Sequence, residues 1–116
     1  MTEKLFNVAE VAGTPLCVGA EDGETVFAVL KNALASGEEC DVSFAGVEML
    51  TSAFLNTAFG QLYGAFPEDL IRAKLRIRDM SEDDKALLKR VNDTAKLYYK
   101  DPDRMERSAQ EILGDD

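Results

Sequence analysis

The order of periodicities along this chain predicts an α/β domain, a small mixed β-sheet covered by helices. Three observations carry that expectation. Two short β-like runs precede a first amphipathic helix. An alternating run, Cys40 to Val47, is followed by a longer helical stripe. A second, strict alternation from Arg72 to Met80 is followed by another helix. The order strand, strand, helix, strand, helix, strand, helix implies helical crossovers between the later strands, hence parallel neighbours and right-handed connections.

Leu5 to Val11 mixes β-branched, aromatic and polar residues and meets Gly13-Thr14-Pro15; Leu16-Cys17-Val18 follows and stops at Gly19. The pair reads as a short hairpin. Glu21, Asp22 and Glu24 then place negative charge where a helix N-terminus prefers it. Val26, Val29, Leu30, Ala33 and Leu34 recur at helical spacing, and Ser36-Gly37 closes that helix. In the central strand Val42 and Phe44 alternate with Asp41 and Ser43, and Gly46 marks a turn or a close backbone approach.

From Thr51 the period changes. Phe54, Leu55, Ala58, Phe59, Leu62 and Tyr63 form one apolar stripe, in which Gly60 and Gly64 either weaken the helix by up to about 1 kcal/mol each or allow tight packing on the sheet. Pro67 opens a short helical turn through Leu70. Beyond it Ala73, Leu75 and Ile77 face one way and Arg72, Lys74, Arg76 and Arg78 the other, with the first of these residues open to a helical reading as well. Ser81 caps a third helix in which Leu87, Leu88, Val91, Ala95 and Tyr98 define the buried side. Asp101-Pro102 interrupts it. The expected division is therefore a domain over residues 1–100 and a C-terminal helical extension or tail over 101–116.

A length of 116 residues suits one core, burying roughly two-thirds of the unfolded surface. The net charge of -9 opposes binding to nucleic acid phosphates. Cys17 and Cys40, the two cysteines, lie apart in apolar settings and read as buried, reduced thiols. With no histidine and no cysteine cluster, a zinc site is not expected, and Ser-His and Cys-His nucleophile pairs are excluded. The first residues lack the apolar core of a signal peptide, and no segment has the roughly 18 apolar residues that span a bilayer. The expectation is a cytoplasmic protein with no cofactor and no membrane span; the sequence does not set its oligomeric state.

Chemistry concentrates at one junction. Glu48, Met49 and Leu50 form a mildly apolar loop, and Thr51 and Ser52 follow where the orphan amides of a helix accept a hydroxyl, a carboxylate or a phosphate. Helix capping by one hydroxyl accounts for this pair without any further role. The same geometry serves partner contact or modification, because a phosphate brings nearly two negative charges that the helix dipole favours. Met49 and Leu50 read equally well as a contact surface or as residues buried under the helix. The Arg72, Lys74, Arg76, Arg78 ladder reads as a solvated strand face or as an anion strip. Asp41, Glu48 and Asp79 sit near strand ends, where ligands of α/β sheets bind. Tyr63, Tyr98 and Tyr99 read as packing or helix-surface aromatics.

Val42-Ser-Phe-Ala-Gly-Val47, Leu50-Thr-Ser-Ala-Phe-Leu-Asn56 and Phe59-Gly60-Gln-Leu62 carry a pattern that resembles the STAS-like family of unassigned function, a branch related to the sulfate transporter and anti-sigma factor antagonist domains. The likeness spans Gly23 to Tyr98 in element order and is specific across Val42 to Leu62. It implies a STAS-like fold and a non-enzymatic regulatory module. The partner it implies is a protein, either a regulatory protein or a kinase-like ATPase of the histidine-kinase type. The related antagonists carry an Asp-Ser-Ser-Gly motif whose second serine is phosphorylated. Laid on this sequence, those positions fall on Thr51, Ser52, Ala53 and Phe54, so the usual phosphoserine position is an alanine. Ser52 or Thr51 is then the candidate phosphate acceptor, and Glu48, Met49, Leu50, Thr51, Ser52, Ala53 and Asn56 the candidate partner surface. An accessory subunit of an ATP-driven transporter is the alternative; a carboxylate-based small-ligand enzyme built on Asp41, Glu48 and Asp79 is the rival from another class.

Overall fold

In the computed structural model, which describes residues 3–100, strand β1 (Glu3–Asn7) ends on a residue that starts a helix. Asn7 Oδ1 accepts the Glu10 amide at 3.0 Å, and helix α1 (Val8–Ala12) runs until Gly13 leaves it with φ 80°. The Gly13 amide donates to Ala9 O at 2.9 Å, satisfying a terminal carbonyl. The expected hairpin between Leu5–Val11 and Leu16–Val18 is not formed. A capping asparagine and a left-handed glycine outweigh the β preference of Val8 and Val11.

Strand β2 (Leu16–Cys17) leads into helix α2 (Ala20–Ala35), which has Glu21 and Asp22 in its first turn and buries Val26, Leu30, Ala33 and Leu34 along one stripe. Strand β3 (Glu39–Ser43) follows. It stops earlier than the sequence alternation, because Gly46 (φ 87°) turns the chain and the Val47 amide bonds back to Phe44 O at 3.1 Å. Strand β4 (Met49–Leu50) pairs in parallel with β2, aligning Leu16 with Met49 and Cys17 with Leu50.

A helical rod then runs as α3 (Ser52–Leu55), a π turn (Asn56–Gly60) and α4 (Leu62–Ala65). After Pro67 come helix α5 (Glu68–Lys74), strand β5 (Leu75–Arg78) and helix α6 (Glu82–Lys100). The main sheet has the order β1-β3-β5, with Phe6 aligned to Val42 and Val42 to Ile77. Every described pairing is parallel. The antiparallel pair of the expected mixed sheet was to come from the hairpin that α1 replaces.

The core lies where the helical rod crosses α2 and α6 over one face of the sheet. Phe54, Leu55, Ala58, Phe59 and Leu62 are buried there, with Phe44 stacked at a 5.8 Å centroid distance from Phe59. The neighbouring register row, Leu5–Asp41–Arg76, points to the opposite face, where Leu5 is exposed. Two expectations are corrected in α6. Tyr98 is exposed, and the inward tyrosine is Tyr99, whose ring fills the space a Cβ on Gly64 would enter at 2.6 Å. Gly60 likewise faces α6, where an added Cβ would stand 3.6 Å from Ala95 Cβ, so these glycines admit a helix and not the sheet. The extension expected over 101–116 lies outside the described residues.

Candidate functional site

The β2–β4 pair and the start of α3 form one rim, built from backbone outward. The Glu48 and Met49 amides both donate to Pro15 O, at 2.8 and 3.3 Å, and the Thr51 amide donates to Cys17 O at 3.3 Å. These bonds fix the loop against β2. Period-two alternation then decides which side chains turn in. Cys17 is buried and Leu50 packs on the core, while Leu16, Val18 and Met49 are 47%, 37% and 56% exposed.

Thr51 is the helix cap. Its Oγ1 accepts the Phe54 amide at 3.2 Å and donates its own proton to Val18 O at 2.8 Å, so both functions of the hydroxyl are used inside the fold. Ser52 and Ala53, one and two residues on, are exposed. Phe54 and Leu55 are completely buried and hold the helix start down. Asn56 is exposed at the π turn, where its carbonyl accepts the Gln61 amide at 3.1 Å. Its side chain lies over Gly60, 2.7 Å from where a Cβ would stand. Behind the rim α2 comes very close: a Cβ on Gly23 would lie 2.8 Å from Thr57 Cβ and 2.9 Å from Phe54 O. Gly23 is thus the contact that seats α2 on the rod.

Of the expected partner surface, Glu48, Met49, Ser52, Ala53 and Asn56 stand on the outside of this rim, whereas Leu50 and Thr51 support it from within. Leu16 and Val18 belong to the same surface and were not expected there. No alternation in the sequence marks them, since Leu16, Cys17 and Val18 are all apolar; the pairing of β2 with β4 goes with Cys17 turned in and its two neighbours out.

The basic ladder does not form one strip. Arg72 and Lys74 lie in α5, and only Arg76 and Arg78 are on β5, because the helix that Pro67 starts runs to Lys74. Arg72 bonds Glu68 at 2.6 Å, Arg76 bonds Glu39 at 3.2 Å, and Arg78 bonds the buried Asp41 at 2.7 Å. Lys74 is partly buried. The strand-end carboxylates are also separated in role. Asp41 answers Arg78, Asp79 (φ 63°) accepts the Ser43 hydroxyl at 2.6 Å, and Glu48 is exposed beside β4.

Cys17 and Cys40 are both buried and free. Burial pushes the Cys17 thiol up, helped by the Asp22 carboxylate; burial and then Glu38 do the same at Cys40. Tyr63 and Tyr99 line a groove of about 320 Å³ with Phe66, Glu68 and Lys96, in which Lys96 Nζ sits 5.8 Å from the Tyr63 ring centroid and 3.3 Å from Glu68. The cation in that groove's wall is already paired within the chain. Among the described residues no group of three or more potential metal ligands gathers, and no helix is long and apolar enough to cross a membrane.

Residues 22–85, more than half of the chain, match the family described as a STAS-like domain of unknown function, and the chain belongs to that family. The match covers α2 through the first turn of α6, so it contains the helix start but not β2. No curated protein and no solved structure matches the chain.

Proposed function

We propose that this STAS-like protein is a non-enzymatic regulatory module that binds another protein through the Glu48–Asn56 rim, with Ser52 as its point of modification. One observation carries the reading. The Thr51 hydroxyl is engaged on both sides within the fold, while Ser52 and Ala53 stand exposed on a helix start pinned by two completely buried residues. A rigid, exposed rim of this kind loses little conformational entropy on docking.

Ala53 stands where related antagonists carry the phosphorylated serine, which leaves Ser52 as the exposed hydroxyl of the motif. A phosphate on Ser52 adds roughly -1.5 to -2 charge at the helix start, and the cost of taking that charge out of water opposes a partner that covers the apolar part of the rim. By resemblance, the partner is an ATPase of the histidine-kinase-like fold acting in a partner-switching pathway. Incubation of the purified protein with that ATPase from the same host and ATP, followed by phosphosite mapping, tests the modification. Phosphate on Ser52 supports the reading; no label on Ser52 or Thr51, under conditions that label a control antagonist, removes it. Affinity capture with the same ATPase, and in parallel with a transporter ATPase, separates the antagonist role from the transporter-subunit alternative.

A further inference from the structure

The exposed apolar side chains of the β2–β4 pair are contiguous with the helix start. Leu16 and Met49 are register partners, Val18 is two residues along the same face, and the Val18 carbonyl holds the Thr51 hydroxyl. Leu5, by contrast, is an exposed apolar residue standing alone on the far face of the main sheet. The charged residues that adjoin the trio in sequence have one sign. Glu48 precedes Met49, and Glu21 and Asp22 open α2 just after Val18. Between Leu5 and Ile71 the single cation is Lys31, about 13 Å further along α2 from Asp22.

We infer that Leu16, Val18 and Met49 form the apolar centre of the docking surface and that its acidic flank selects a protein partner presenting apolar side chains rimmed by lysine or arginine. The inference rests on the rim reading above and names the partner's chemistry. Apolar burial supplies the attraction, and the flanking carboxylates choose among apolar partners by adding opposite charge at the edge. The same flank disfavours anionic lipid headgroups and nucleic acid phosphates. It also disfavours a second copy of this chain, whose matching surface carries the same charge.

The test is a titration of the full chain, labelled for backbone amides and for Leu, Val and Met methyl groups. The probes are two synthetic amphipathic helices with an identical leucine face, one with a lysine polar face and one with a glutamate polar face. The lysine peptide is expected to shift the Leu16, Val18 and Met49 methyls and the Ser52 amide. Its affinity should fall about tenfold or more between about 0.05 M and about 0.3 M salt. The glutamate peptide should leave these signals in place. Leu16→Glu and Met49→Glu should each weaken the lysine peptide at least about tenfold with the amide spectrum of the fold retained, and Leu16→Ala serves if the charged variant unfolds. Equal response to both peptides, shifts centred elsewhere, or a dimer by sedimentation with concentration-dependent shifts at these methyls would overturn the inference. Perturbation confined to Ser52–Asn56, with Leu16 and Val18 silent, also overturns it and leaves the rim reading standing. Silence over the whole of Leu16–Asn56 removes both.

Discussion

At the β5 side of the main sheet charge is matched within the chain: Arg76 meets Glu39 and Arg78 meets Asp41 across neighbouring strands. At the β2–β4 rim the situation is reversed, with Leu16, Val18 and Met49 facing solvent beside carboxylates. The Arg76–Glu39 pair is on the surface and contributes little to stability, whereas Arg78 compensates the buried Asp41; both pairs, once formed, present little net charge to a ligand. Exposed apolar area is different. Each Å² removed from water by a partner stabilises a complex by about 25 cal/mol before ordering costs. Under the proposed reading, recognition falls where apolar surface is unmatched, and not where arginines are most visible in the sequence.

The comparison breaks first if the rim is not rigid. Phe54 is fully buried beneath it, so Phe54→Ala should lower unfolding free energy by about 3–5 kcal/mol in a denaturant titration. A loss below about 1 kcal/mol would mean that the helix start is not anchored. Gly23→Ala inserts a methyl group against backbone oxygen and Thr57, and should cost about 1–3 kcal/mol by the same measurement. An unchanged midpoint would show α2 able to retreat from the rod.

The two hydroxyls sharpen the comparison further. Thr51→Val removes a cap and a tie to β2 and should cost about 1–2 kcal/mol, whereas Ser52→Ala should stay within about 0.5 kcal/mol. The reverse ordering would assign the structural role to Ser52. The smallest effect concerns the thiols. Cys17 and Cys40 have raised pKa values in the fold, so their contribution is complete below the unfolded thiol value of about 8.5 and is lost as pH rises through the folded values. Stability should decline modestly on the alkaline side, and Cys17→Ala with Cys40→Ala should flatten that decline. An unaltered slope in the double variant would locate the effect elsewhere.

Much of this was legible in the residues. The α2 stripe, the cap at Thr51, the Phe54–Tyr63 stripe and the Ser81 cap, whose Oγ accepts the Asp84 amide at 3.1 Å, each follow from periodicity and local hydrogen bonding, which are near-neighbour physics. In the first twenty residues the strands ending at Asn7 and at Cys17 were legible, but not helix α1 or the neighbours those strands pair with. Val8 and Val11 favour a strand by type, and the signals that override them, Asn7 with Glu10 three residues on and Gly13 after Ala12, are short and local. Losing that helix misassigned the partner of β2 and concealed the exposed side of Leu16 and Val18. The close approach at Gly23 and the π turn at Asn56 were illegible for another reason. The first depends on Thr57, which a distant segment brings against α2, and nothing in the local residue pattern marks the second. Of the basic ladder, alternation over Arg72–Arg78 was real in the sequence, but period two also fits the end of a helix followed by a short strand.

The most direct test compares the two regions by binding. Isothermal titration of the proposed partner, a histidine-kinase-like ATPase, with Ser52→Asp and with Arg76→Asp separates them in one experiment. Ser52→Asp should weaken binding at least about tenfold, a change of about 1.4 kcal/mol, and Arg76→Asp should leave it within about twofold. Binding that survives Ser52→Asp and collapses with Arg76→Asp would contradict the account, moving recognition from the apolar rim to the charged sheet edge.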